Sequence, residues 1–141
     1  MASPPAKRLA VLACMDARLM PAKLLGFDEG DAHVIRNAGG LVTDDAIRSL
    51  SISQHLLGTT EIALIHHTDC GMQNLSDEEF RQRLRDETGE EPSWSAGGFG
   101  DLERSVRDSI ERIKSSPFIP SKDSIRGFVY EVETGRLREV Q

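Results

Sequence analysis

Two short segments contain both cysteines of this chain, together with other side chains that can bind a metal ion. The first, Cys14-Met15-Asp16-Ala17-Arg18, and the second, His67-Thr68-Asp69-Cys70, start 53 positions apart, and each follows an apolar run typical of a buried strand. Their thiolates and imidazole are ligands of the kind that zinc prefers. Catalytic zinc sites usually have three protein ligands and one open position, whereas structural sites fill all four positions with side chains. We therefore predict that Cys14, His67 and Cys70 hold one Zn²⁺ ion per chain at a catalytic site.

Asp16 and Arg18 add reactive groups to this predicted metal centre. Two thiolates cancel the formal charge of Zn²⁺, so a bound water is less acidic than it would be with three neutral imidazoles. A carboxylate that accepts a hydrogen bond from this water compensates, and Asp16 stands two residues from Cys14. Arg18 can hold Asp16 in a charge-assisted, bidentate pair and keep it ionised. Asp16 is also close enough to bind the ion itself, so two resting positions stay open: on Arg18, or on zinc as a fourth ligand in a closed state.

Composition and charge exclude several classes of partner. The chain has 141 residues, a formal net charge of −6 and no basic cluster, which disfavours nucleic acid and anionic membranes. No apolar run approaches the roughly 20 residues needed to cross a bilayer, and the N-terminal residues lack the apolar core of a signal peptide. We therefore expect a cytoplasmic protein, since thiols stay reduced there and are free to bind metal.

Strand and helix patterns alternate over the first part of the chain. This alternation is typical of an α/β fold with a mainly parallel, doubly wound central sheet that is flanked by helices. In such sheets ligands bind beyond the carboxyl ends of the strands where the winding direction reverses, and both motifs follow strands. We predict one domain over residues 1–141, with residues 1–8 as a flexible N-terminal extension. The predicted elements are strands at Lys7–Ala13, Ala32–Ile35 and Glu61–His66, and helices at Met20–Leu25 and from Thr43 or Asp44 to Leu57.

The rest of the chain is less regular. Ser76-Asp77-Glu78-Glu79 is a capping box that predicts the start of a short helix. Residues 90–100 are rich in Gly, Ser and Pro and predict a loop, which we expect Trp94 to pin. An amphipathic helix and a closing strand pair follow, with the apolar stripe Leu102, Val106, Ile110 and Ile113 and the strands Ile125–Val132 and Arg136–Val140.

The spacing within each motif predicts how its side chains are aimed. An extended backbone would direct Cys14, Asp16 and Arg18 to the same side because they are two positions apart. On a strand, His66 and His67 would face opposite ways, so we expect His67 to be the ligand and His66 to pack elsewhere.

At these residues the chain resembles the β-class carbonic anhydrases, in particular the short bacterial members. Their hallmark is Cys-x-Asp-x-Arg followed by His-x-x-Cys, and the segment Arg36-Asn37-Ala38-Gly39-Gly40 is similar to the family's segment between the two. The resemblance implies a carbonate dehydratase, a zinc lyase in which zinc-bound hydroxide attacks carbon dioxide to give bicarbonate and a proton. It also implies that Asp16 and Arg18 govern the fourth position of the metal, and that the chain forms a homodimer or a dimer of dimers. The family's short members have a longer N-terminal helical arm that embraces the partner, so the resemblance implies a truncated or alternative dimer contact here.

Three other interpretations stay open at this point. Relatives of the family hydrolyse carbonyl sulfide or carbon disulfide at the same kind of site, and the motifs do not separate these substrates. A non-catalytic protein would use the metal only to staple its fold, with Asp16 as a permanent ligand. A redox pair of Cys14 and Cys70 would require a protein without metal.

Overall fold

The computed structural model describes residues 4–141 and contains one five-stranded sheet. The strands lie in the order β2-β1-β3-β4-β5, and all pair in parallel except β5, which is antiparallel to β4. This arrangement confirms the predicted α/β class with a mainly parallel sheet. The strands are β1 (Leu9–Cys14), β2 (Ala32–Asn37), β3 (Glu61–His67), β4 (Ser124–Glu131) and β5 (Arg136–Val140).

Residues 4–141 form four α-helices, and local polar side chains fix where three of them begin. The hydroxyl of Thr43 accepts from the backbone N–H of Ala46, so Thr43 rather than Asp44 caps its helix. Ser76 and Asp101 cap the next two helices in the same way. None of the helices in residues 4–141 is long and apolar enough to cross a membrane. The helices are α1 (Pro21–Leu25), α2 (Asp44–Leu57), α3 (Asp77–Thr88) and α4 (Leu102–Ser115).

The core lies on both faces of β1 and β3, which explains their continuous apolar sequences. On one face Leu12 and Leu64 pack with side chains of α2 and α4, such as Leu50. On the other face Val11 and Ile65 pack with the segment around α1. The two strands that precede the motifs are therefore the most enclosed parts of the sheet.

The chain winds from β1 to β2, and then returns past β1 to β3. The winding direction therefore reverses between β1 and β3, which are direct neighbours with Ala13 paired to Ile65. Cys14 ends β1 and His67 ends β3 at the same edge of the sheet. The topology thus brings both motifs to the position where ligands bind in open α/β sheets.

The start of the chain is partly described. The predicted flexible extension covers residues 1–8, and residues 1–3 of it lie outside the described residues. Ala6 and Lys7 donate backbone hydrogen bonds to the carbonyls of Gly30 and Asp31, each at 2.9 Å. These bonds attach the chain before β1 to the entry of β2.

Residues 71–101 cross the surface beside the motifs, and none of them is buried. Trp94 is 57% exposed, so the expectation that it pins the loop is wrong. Polar bonds hold the loop instead: Asp77 accepts from the N–H of Gly98 and from the hydroxyl of Ser95, both at 2.9 Å. A short parallel bridge between Gln73 and Phe99 adds a second attachment.

Candidate metal centre

Cys14, His67 and Cys70 come together at the carboxyl ends of β1 and β3. One ligand atom from each side chain lies within 4.8 Å of the other two, and all three residues are buried. Both cysteines are free thiols rather than a disulfide. The three side chains are thus close enough to bind one ion jointly.

Backbone and side-chain contacts aim the His67 ring at this cluster. Its Nδ1 donates to the carbonyl of Thr68 at 2.7 Å, which leaves Nε2 as the free ring nitrogen. Thr68 is itself anchored, because its hydroxyl donates to Glu133 at 2.8 Å and accepts from the N–H of Val132 at 3.0 Å. Within residues 4–141, Nε2 is buried without a hydrogen-bond partner. A buried, unpaired imidazole nitrogen beside two thiols fits the nitrogen and sulfur ligand set of zinc.

The surroundings of Cys14 favour its thiolate. Burial raises the pKa of this thiol, but His67 and the backbone N–H groups of Asp16 and Gly39 outweigh burial and lower the pKa to about 7. The Gly39 N–H lies 3.3 Å from the Cys14 sulfur. Burial and the neighbouring Cys14 raise the pKa of Cys70. Because a thiolate is the metal-binding form, Cys14 is the better prepared ligand, and Cys70 needs the positive charge of an ion to lose its proton.

His67 is also affected by these neighbours. Burial alone would lower its pKa, but the thiol of Cys14, the Thr68 carbonyl and the charge of Asp16 together raise it above the ordinary value. A protonated His67 and a Cys14 thiolate thus stabilise each other, and any proton on Nε2 has to leave before this nitrogen can bind a cation.

Asp16 and Arg18 form a bidentate pair at the edge of the cluster. Arg18 donates from Nε to Oδ1 at 3.0 Å and from Nη2 to Oδ2 at 2.7 Å, and its backbone N–H reaches Oδ1 at 2.8 Å. These bonds hold the pKa of Asp16 well below its usual range and raise that of Arg18. Oδ2 of Asp16 also lies 3.8 Å from Nε2 of His67. The carboxylate therefore faces the ligands and the guanidinium at once.

The predicted extended backbone from Cys14 to Arg18 is wrong. The strand ends at Cys14, and the chain turns at Asp16, where Leu19 N–H bonds to the Asp16 carbonyl at 3.1 Å. The Asp16 side chain caps this turn by accepting from the Arg18 N–H, a local bond that competes with a continuing strand. The turn, and not strand alternation, brings the three side chains to one side.

Arg36 is a supporting residue that sequence reasoning gave no role. It lies on β2 and donates to the carbonyls of Cys14 at 3.0 Å and Asp16 at 2.7 Å, which fixes the backbone of the first motif. Gly40 lets the backbone pass close by, because a Cβ there would lie 2.8 Å from the Cys14 nitrogen. The similarity of the segment Arg36-Asn37-Ala38-Gly39-Gly40 to the family's segment was a sequence signal that Arg36 has a role. No local sequence pattern predicts which carbonyl groups it contacts.

His66 takes no part in the cluster. It is buried, and its ring lies 5.9 Å from that of Phe99. Burial lowers its pKa to about 4, so the imidazole is neutral at physiological pH. These surroundings agree with the expected packing role.

An apolar groove of about 430 Å³ lies beside the cluster. Two residues that line the groove are neighbours of the cluster in sequence. Ala38 precedes Gly39, whose N–H contacts the Cys14 sulfur, and Gly71 directly follows Cys70. The outer wall comes from the exposed segment, with Met72, Leu75, Phe80 and Trp94. The groove thus lies next to both motifs, and its lining is mainly apolar.

A three-ligand nitrogen and sulfur centre at the switch point of a parallel sheet, with a carboxylate clamped beside it, defines a metal-dependent α/β enzyme. The sequence profile of the family described as "Carbonic anhydrase" matches residues 9–94. Beta-carbonic anhydrase 1 of Mycobacterium tuberculosis is 56% identical over 137 residues, which cover 97% of this chain and 84% of that protein. The chain therefore belongs to the β-carbonic anhydrase family, as the two motifs predicted.

Two further relatives agree with this family. The crystal structure of a carbonic anhydrase from Streptococcus mutans superposes with a TM-score of 0.93 at 47% identity, covering all of this chain (100%) and 86% of that one. A carbon disulfide hydrolase of Acidithiobacillus thiooxidans is 40% identical over 158 residues, covering 98% of this chain and 79% of that protein. The fold and the motifs are thus shared by relatives named for two different substrates.

Proposed function

We propose that this chain catalyses the reversible hydration of carbon dioxide to bicarbonate and a proton, with one zinc ion held by Cys14, His67 and Cys70. The observation that carries the proposal is the joint approach of these three buried ligand atoms, within 4.8 Å, beside the Asp16–Arg18 pair. Membership of the β-carbonic anhydrase family supports the choice of reaction.

Asp16 and Arg18 act on water at the edge of the ligand set. The ion, when bound, supplies Lewis acidity that makes water nucleophilic near neutral pH. Oδ2 of Asp16, 3.8 Å from His67 Nε2, is placed to accept a hydrogen bond from that water. Because Arg18 keeps the pKa of Asp16 far below neutral, the carboxylate orients the water without storing its proton. The released proton must therefore leave on a base from solution.

Stopped-flow measurement of carbon dioxide hydration by zinc-loaded protein at pH 6–9 tests the proposal. We expect Asp16→Asn to lower kcat by about 100-fold, the lower end for loss of a positioned acid–base group, while zinc content stays near one per chain. Asp45→Asn, at an exposed carboxylate of α2 far from the motifs, is the matched control and should keep full activity. Full zinc occupancy without activity across this pH range would refute the proposal.

The same experiment separates the two non-enzymatic alternatives. A fold-stapling metal with Asp16 as a permanent ligand predicts that Asp16→Asn weakens zinc binding and lowers stability instead of turnover. A Cys14–Cys70 redox pair predicts that freshly reduced protein contains no metal. Cys70→Ser should abolish stoichiometric zinc under our proposal, which metal analysis measures directly.

A sulfur-substrate hydrolase is the second candidate, and the relatives named carbon disulfide hydrolase favour it. The groove beside the cluster is apolar, which suits carbonyl sulfide and carbon disulfide as well as carbon dioxide because all three are small and uncharged. The ratio of kcat/KM for carbon dioxide to that for carbonyl sulfide decides between them, with sulfide release as the second readout. We expect carbon dioxide to be the better substrate.

We also propose a cytoplasmic homodimer or dimer of dimers. Met15 lies within the first motif and Met20 just after it, and they are 64% and 53% exposed, which suits an apolar contact with a second copy. Sedimentation equilibrium of the zinc-loaded protein measures the assembly, and a monomer at micromolar concentration would contradict it. Two reduced thiols in the ligand set suit a reducing compartment, and cell fractionation tests that location.

A further inference from the structure

We propose that Asp69 is a positioning residue that anchors Arg18 and thereby keeps Asp16 away from the metal. Arg18 donates from Nη1 to the Asp69 carboxylate at 3.0 Å and from Nη2 to the Asp69 carbonyl at 3.0 Å. The guanidinium therefore joins the first motif to the second. This inference rests on the proposed function to the extent that the three ligands hold a metal ion.

The contacts of Asp69 add to those of Asp16 and do not compete with them. A guanidinium has five N–H donors. Asp16 takes the Nε donor and one Nη2 donor, and Asp69 takes an Nη1 donor and the other Nη2 donor. Asp16 and Asp69 therefore use different N–H groups of Arg18, so removing the Asp69 side chain would not add a hydrogen bond to Asp16.

Asp69 limits the freedom of an exposed arginine. The Arg18 side chain is 46% exposed and, without the Asp69 carboxylate, its partners among the described residues would be Asp16 and the carbonyl of residue 69. A guanidinium group whose orientation is already fixed loses less conformational entropy when it binds a carboxylate. Because Asp69 fixes this orientation, it strengthens the Asp16–Arg18 pair relative to the alternative in which Asp16 turns toward the ligand set.

The backbone at Asp69 adopts a conformation that few residue types tolerate. Its φ is +54°, a left-handed value that Asp, Asn and Gly tolerate better than other residues. A purely structural role would require only this turn, which lets His67 and Cys70 converge. Asp69→Gly keeps the turn and its carbonyl while removing the carboxylate, so it separates the two roles.

Azide binding to the cobalt(II)-loaded protein, followed by visible absorption at pH 7, provides a readout besides activity. Azide needs the fourth position, so its apparent Kd rises by the factor by which the fraction of sites that Asp16 leaves open falls. We expect the Kd to rise about threefold in Asp69→Gly, which is within reach of an ion pair whose side chains are 46% and 72% exposed, and less in Asp69→Asn, whose amide oxygen can still accept from Arg18. Asn74→Gly is the matched control, since Asn74 also has a left-handed φ, +64°, five residues further on, and the side-chain hydrogen bonds of Arg18 go to Asp16 and Asp69; its Kd should be unchanged.

The double variant Asp16→Asn/Asp69→Gly makes the test specific. Without the Asp16 carboxylate nothing can close the site, so azide should bind to it as it binds to Asp16→Asn alone. A Kd in Asp69→Gly that equals or falls below the wild-type value would overturn the proposal, as would a rise of the same size that persists without Asp16. If Asp69→Gly fails to fold or load cobalt, a wild-type Kd in Asp69→Asn with wild-type activity would likewise overturn it. Failure of the wild-type chain to hydrate carbon dioxide would refute the proposed function alone, because cobalt absorption reports coordination and not turnover.

Discussion

The stretch from Leu9 to Cys70 and the stretch from Gly71 to Asp101 are ordered by different forces. The first contains β1, β3 and α2, and its apolar side chains fill both faces of the sheet. The second has no buried residue and is held by helix caps, backbone bonds and the Asp77 carboxylate. The ligands come from the first stretch, and the outer wall of the groove comes from the second. The metal-binding residues are thus supported by a packed core, while the groove beside them is walled by a locally weaker segment.

The largest expected effect comes from the core of the first stretch. Leu64→Ala on β3 removes a fully buried side chain and should lower the free energy of unfolding by about 3 kcal/mol, as core Leu→Ala changes do. Leu75→Ala, at a half-buried position of the second stretch, should cost less than about 1 kcal/mol because less apolar surface returns to water. Urea denaturation at fixed metal concentration measures both. Equal losses would show that the two stretches are equally well packed.

The glycines beside the centre give the next largest effect. Gly40→Ala places a Cβ 2.8 Å from the Cys14 nitrogen at a φ of +64°, so it should cost about 2 kcal/mol and weaken zinc binding. Gly71→Ala has open space around its Cβ and should change neither property. Chelator competition measures the zinc affinity of each variant. The comparison fails if Gly71→Ala weakens zinc binding as much as Gly40→Ala does.

Much of the first stretch could be predicted from sequence because its signals are local. Continuous apolar runs predicted β1 and β3, and Thr43 and Ser76 predicted two helix starts. The relative placement of the two motifs followed from the rule for parallel sheets. The parts that sequence missed depend on contacts between distant residues or on side chains that compete with the backbone. Arg36 reaches carbonyls 20 and 22 positions away, and the Asp16 side chain turns a chain that strand alternation predicted to be straight.

A smaller, local effect is expected in the loop of the second stretch. Asp77→Asn weakens the bonds from Gly98 and Ser95, so amide exchange at residues 95–99 should speed about fivefold, or about 1 kcal/mol, with little change in global stability. These bonds lower the pKa of Asp77. The native carboxylate therefore binds protons less readily than the unfolded one, and its contribution is present at neutral pH and lost as pH falls through the lowered value. Hydrogen exchange at pH 7 checks the variant, with the exposed Asp86→Asn on the same helix as control.

The smallest effect is expected at Trp94. Because this side chain is largely exposed, Trp94→Ala should change the free energy of unfolding of the monomeric chain by less than about 0.5 kcal/mol. Chemical denaturation followed by far-UV circular dichroism is the measurement, since the chain has only one tryptophan for fluorescence. A decrease in the free energy of unfolding of more than about 1 kcal/mol would show that Trp94 anchors its loop.

The origin of the ligands from two adjacent strands also sets how stability responds to the supply of metal. Cys14 and His67 are 53 positions apart and meet only when β1 and β3 pair, so unfolding disperses the ligand set. An ion that binds the folded chain alone stabilises it by mass action, with about 1.4 kcal/mol gained for each tenfold rise in free ion above the Kd. A melting temperature for this chain is therefore a property of the protein and its metal buffer together. In a cell, the fraction of folded chain would follow the availability of the ion.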